Sequence, residues 1–292
     1  MNRSTLVSGV RRLFGGGAIA LMAMGVLGGS QANAAGIADT KHNLGTSGTG
    51  ANHQAIGGGG TAEICVFCHT PHGSDTSAAV PLWNRKLAAP STYTTYNSLG
   101  TSSLDGATAP VGSVSLACLS CHDGAQAMNV MINQPGSGGY VAAGSALTGT
   151  WTGVSTIPDG ITKIGVDLKN DHPIGIQYGG GMTAGGAYTT GTIADGALKD
   201  VDFKGLSYQS LNSQPVWWVD TGTAGRQKTD LMLYTRTGAD SVSPGGVVTS
   251  AALIGAQAFV ECASCHDPHT TNTTFLRISN AGSAVCLSCH IK

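Results

Sequence analysis

The chain has 292 residues, of which 44 are glycine, 11% are charged and only 5% are aromatic. Its formal charge of -1 at pH 7 excludes the basic footprint that nucleic-acid binding requires. So few large side chains for this length predict that something other than polypeptide fills much of the interior.

Residues 1–34 read as an export signal. Arg3, Arg11 and Arg12 precede an apolar run over 18–27, and Ala32-Asn33-Ala34 supplies small residues for cleavage. The run is shorter than the roughly 20 residues of a membrane span. Removing it takes away three arginines and no acid, so 12 basic residues face 16 acidic ones and the charge becomes -4.

Residues 35–60 are rich in Gly, Ser, Thr and Asn without a helical or strand period, which predicts an extended N-terminal arm carrying His42 and His53. Residues 61–135 form a first half. It holds Cys65-Val66-Phe67-Cys68-His69 and Cys118-Leu119-Ser120-Cys121-His122, with Pro81-Leu82-Trp83-Asn84-Arg85 between them. Residues 136–255 are a Gly/Ser/Thr-rich insertion with apolar fragments at 161–168, 216–219 and 231–234, and short strands and turns suit it. Within it, Asn170-Asp171-His172-Pro173 places a histidine before a proline, where extended backbone is favoured. Residues 256–292 form a second half with Cys262-Ala263-Ser264-Cys265-His266 and Cys286-Leu287-Ser288-Cys289-His290. The runs Cys65 to His69 and Cys262 to His266 both continue through a proline to a second histidine, His72 and His269, and each is followed by Cys-Leu-Ser-Cys-His. An internal duplication of a two-motif unit accounts for this, while the long insertion argues against simple repeat stacking.

Cys-x-x-Cys-His is the attachment signature of c-type haem. The spacer lets both thiols reach the two vinyl groups of one porphyrin, and the adjacent histidine meets the iron from the same side. Four copies absorb all eight cysteines, which leaves no thiol for a lipid anchor. Zinc or disulfides would also use Cys-x-x-Cys, but neither needs a histidine after each second cysteine. Four covalent haem c groups are therefore expected at Cys65/Cys68, Cys118/Cys121, Cys262/Cys265 and Cys286/Cys289, and they would supply the missing apolar volume.

His69, His122, His266 and His290 are the proximal iron ligands on this reading. His42, His53, His72, His172 and His269 remain for four distal positions, so Met128, Met131, Met182 and Met232 are not needed as ligands. His72 and His269 follow their proximal histidines by three residues, too short a loop to pass round a porphyrin edge, so each should serve a neighbouring haem. His172 is the next candidate, and His42 and His53 compete for the last place. An arm ligand could serve its own chain or cross to the next copy, and crossing without ring closure would generate a filament. Iron with two protein ligands has no open site for a substrate, which favours electron transfer over enzymatic reduction.

Taken together, Lys41-His42-Asn43-Leu44, CVFCHTPH from Cys65, CLSCHDG from Cys118, NDHP around His172, CASCHDPH from Cys262 and the terminal CLSCH resemble the extracellular multihaem c-type cytochromes of metal-respiring bacteria. The resemblance implies a mostly irregular coil, with a few short helices and strands, packed around four bis-histidine haems. It implies His42, His72, His172 and His269 as distal ligands, with a histidine of one copy completing a haem of the next in a head-to-tail polymer. It further implies an upstream periplasmic or outer-membrane donor, and an extracellular metal oxide or similar acceptor. A monomeric periplasmic shuttle is the alternative, and a haem reductase of a small acceptor is a third reading that needs a five-coordinate iron.

Overall fold

The computed structural model describes residues 36–101, 104–181, 190–222, 225–236 and 257–291. The expected signal at 1–34 and Met182 lie outside the described residues. Helix is scarce. It comprises α1 (Ser113–His122), α2 (Cys262–Cys265) and α3 (Ala284–Cys289), and each ends in, or just before, a motif histidine. Among the described residues no helix is long and apolar enough to cross a membrane.

The strands are β1 (Val130–Asn133), β2 (Tyr140–Ala146), β3 (Ile176–Gln177), β4 (Thr190–Ile193), β5 (Leu206–Leu211), β6 (Gln214–Val219), β7 (Leu231–Arg236) and β8 (Gln257–Val260). β1 and β2 form a two-stranded antiparallel ribbon, and the rest form one antiparallel sheet in the order β3-β8-β7-β6-β5-β4. Asn212 and Ser213 join β5 to β6 with φ of 50° and 63°. Positive φ at both turn residues matches the right-handed twist of the flanking strands, and asparagine tolerates it better than most residues.

The insertion supplies β2 to β7, in keeping with the short strands read there, and most of them join one sheet, more regular than the mostly irregular coil expected of the chain as a whole. Its interior is also polypeptide. Tyr178, Leu198, Leu206, Trp217, Val219, Leu231 and Leu233 bury one another, with Trp217 and Leu231 at 0% exposure. Cys289 of α3 packs against the same cluster, so the sheet carries the last motif directly. β8 runs through Glu261 into α2, which delivers the third motif, and β3 follows His172 closely.

The first half has no comparable sheet. α1 buries Leu116, Ala117 and Leu119 against Leu87, Tyr93 and Leu168, so the second motif ends a helix enclosed by loops. A separate cluster joins Leu44, Val66, Phe67, Met128, Met131 and Leu147, flanked by Cys68, Cys121 and Trp151. Leu44 and the buried Asn43 thus tie residues 36–60 into the body of the chain, where the sequence suggested an outlying arm.

Candidate functional site

The first and third motifs sit in the same local construction. His69 Nδ1 is 2.8 Å from the Pro81 carbonyl, Thr70 N donates to Leu82 O at 2.8 Å and Asn84 N donates to Cys68 O at 2.9 Å. His266 Nδ1 is 2.8 Å from the Thr274 carbonyl, Asp267 N donates to Phe275 O at 2.8 Å and Arg277 N donates to Cys265 O at 2.9 Å. A short antiparallel return strand therefore braces each histidine from behind. An Nδ1 that donates to a carbonyl carries the ring proton, which in a neutral imidazole leaves the lone pair on Nε2, away from the brace. That is the tautomer a metal ligand needs, held by the backbone.

The second motif is braced likewise, with His122 Nδ1 2.7 Å from the Thr162 carbonyl and Ile164 N donating to His122 O at 2.8 Å. At the fourth, Lys204 N donates to Cys289 O at 2.8 Å and Ile291 N to Asp202 O at 2.7 Å, while Phe203 packs on His290 with ring centroids 4.5 Å apart.

Two of the remaining histidines each face a motif histidine. His269 faces His69 with centroids 6.4 Å apart and planes within 17°, and His42 faces His122 at 6.2 Å and 71°. A metal–nitrogen bond of about 2 Å on each side would set two ligating imidazole centroids roughly 6 Å apart, and both pairs have that separation. Burial and the nearness of His122 push the His42 pKa down to about 4, so the ring is neutral and able to ligate. Its N–H donates to the Pro268 carbonyl, and its face stacks on Phe275 at 4.2 Å. Desolvation lowers the His172 pKa, and nearby His290 lowers it further against a raising bond to the Pro173 carbonyl.

His72 is exposed and makes no ring contact among the described residues, and His53 Nδ1 bonds to the Gln54 carbonyl at 2.8 Å without facing a motif histidine. Met128 and Met131 are buried core side chains, and Met232 lies opposite Trp218 in the sheet.

None of the eight cysteines forms a disulfide. The Cys118 thiol is hydrogen-bonded to Cys262, and this bond, ahead of burial, raises the Cys118 pKa. Burial pushes Cys68 up to about 12, with Cys121 adding to the rise, and pushes Cys289 up to about 12, with Cys265 contributing. These proximities place the four motifs in chain order, each near the next. Among the described residues no three His, Cys, Asp or Glu side chains converge as a tetrahedral metal would need. The two imidazole pairs, beside the cysteine pairs, would hold a haem, which would supply the remaining ligands to its iron.

Among the described residues three buried donors lack partners: Trp83 Nε1, Arg85 Nε and Trp151 Nε1. All three surround the first motif, since Trp83 packs edge-on to His69, Trp151 packs edge-on to Phe67, and the charge of Arg85 acts on Cys68. Orphaned donors at this depth suit the carboxylates of a haem. The residues present fit the group.

Residues 256–292 match the family described as Doubled CXXCH motif. The match indicates covalent haem c attachment and points to haem-based electron transfer. It suggests a multihaem c-type cytochrome over that segment, and no curated protein matches the chain.

Proposed function

We propose that the chain carries four haems, one at each Cys-x-x-Cys-His motif, and passes electrons along them. The facing of His69 by His269 and of His122 by His42, beside paired thiols, carries this reading. The cysteine pairs hold the porphyrins covalently, the motif histidines ligate from the braced side, and His42, His72, His172 and His269 are the distal set. Haem supplies reversible one-electron chemistry, and the chain's own work is to hold two neutral imidazoles on each iron and exclude other ligands. Full coordination argues against a reductase. An oxidised spectrum of purely low-spin haem, unmoved by cyanide or nitrite, is expected, and a high-spin component that shifts with either would favour the enzyme.

The physiological setting follows the resemblance: export, assembly into a head-to-tail filament, and conduction from a periplasmic or outer-membrane donor to an extracellular oxide. The exposed rings of His72 and His266 support assembly, because neither faces a histidine of its own chain among the described residues. The pairing of His42 with His122 within one chain favours the monomeric periplasmic shuttle as the second reading. Electron microscopy separates the two. Filaments that disperse in His72→Ala and His53→Ala variants support assembly through a crossing histidine, and dispersed particles under all conditions support the shuttle.

A further inference from the structure

We propose that Arg85 is a potential-setting residue, a buried and uncompensated cation that raises the reduction potential of the haems at the first two motifs. The inference rests on the haem reading above.

Arg85 is fully buried at 0% exposure. Its Nη1 donates to Met128 O at 2.9 Å, and its Nη2 donates to Ala127 O at 2.7 Å, Gln126 Oε1 at 3.1 Å and Ser120 O at 3.5 Å. Every one of these acceptors is neutral. Arg85 forms no ion pair among the described residues, whereas the other buried arginine, Arg236, holds Glu261 at 2.8 Å. Guanidinium does not lose its proton, so the charge persists. Burying it unpaired is costly, and proteins seldom retain such a charge without a compensating interaction.

Its place supplies the interaction. Ser120 precedes Cys121, and Asn84, next to Arg85 in the chain, donates its backbone N–H to Cys68 O at 2.9 Å, so Arg85 lies beside the second attachment cysteine of both motifs. Reduction adds one electron to a haem, and a fixed positive charge nearby stabilises the reduced form. Away from water and counter-ions that effect is weakly screened. The unpartnered Nε of Arg85 and the indole donors of Trp83 and Trp151 are three buried donors that a haem carboxylate could satisfy. A carboxylate bound there leaves the sign unchanged, because removing Arg85 would then expose the haem to an unneutralised anion.

A purely structural role predicts differently. Arg85 also ties the end of α1 to the 126–128 loop, a task that depends on its fork of donors and not on its charge alone. Three variants of the full haem-loaded protein separate the roles by spectroelectrochemical titration. Arg85→Gln removes the charge, Arg85→Lys keeps it and loses the fork, and Gln126→Glu leaves Arg85 in place while setting a carboxylate against its Nη2. The expected result is a shift to more negative potential in Arg85→Gln and Gln126→Glu, confined to the same one or two components, with Arg85→Lys near the parent. Unmoved potentials in Gln126→Glu with its haems intact, or equal shifts in Arg85→Lys and Arg85→Gln, overturn the proposal. If Arg85→Gln fails to mature, Gln126→Glu decides. A parent protein lacking haem by mass would instead defeat the underlying haem reading.

Discussion

The loops that hold His69 and His266 share one hydrogen-bond ladder but rest on different foundations. Behind His266 stands a six-stranded sheet, and the arginine beneath it is neutralised by Glu261. Behind His69 stand loops stitched by Asn84 and Arg85, and that arginine is unpaired. Two backbone bonds and one imidazole–carbonyl bond are thus enough to aim the imidazole. What surrounds the ladder is free to differ in stability and in charge.

The largest expected effect strikes the second foundation. Glu261 is 1% exposed and receives Arg236 Nε at 3.0 Å, Nη2 at 2.8 Å and the Ser115 hydroxyl, so Arg236→Met strands a buried carboxylate. Denaturant unfolding should show a loss of about 3–5 kcal/mol. Burial raises the Glu261 pKa even beside Arg236. The folded chain therefore binds that proton more tightly than the unfolded one, and stability falls as pH rises from about 4.3 through the raised value. In Arg236→Met the fall should be steeper and extend to higher pH, and a pH-independent variant would contradict the assignment.

The first foundation should yield next. Asn84 is fully buried, its Nδ2 donates to Val66 O at 2.7 Å and Asn133 O at 2.9 Å, and its Oδ1 accepts from Asn133 N at 2.8 Å. Asn84→Ala leaves buried backbone groups unpaired, and unfolding experiments should find a cost of about 3 kcal/mol. A loss under about 1 kcal/mol would mean that water replaces the side chain freely.

The smallest effect separates the two ladders at one equivalent position. Leu82 and Phe275 both have φ of 58°, a left-handed conformation that strains any side chain. Leu82 is 49% exposed, so Leu82→Gly should stabilise by up to about 1 kcal/mol. Phe275 stacks on His42, so Phe275→Gly gains the same relief and loses that contact, and melting should show a net loss.

The motifs were legible in the sequence because attachment chemistry fixes residue type and spacing within five residues. The facing of His42 to His122 was not, since it depends on Leu44 and Asn43 packing residues 36–60 against the body. The sheet was only half legible. Trp217, Trp218 and Val219 are buried in succession, which erases the alternation that marks a strand, and Pro215 within β6 reads as a break. The fragment at 161–168 looked much like 216–219, yet its Thr162 and Ile164 form the brace behind His122. Arg85 and Arg236 could not be told apart before burial and partners were known.

The central claim is that porphyrin iron, fixed by thioethers between paired histidines, is the working part of this chain. Intact-mass measurement of the purified, denatured protein, before and after chemical cleavage of thioethers, tests it most directly. The account predicts a difference of four haems. A denatured protein that weighs only what its amino acids weigh would contradict it.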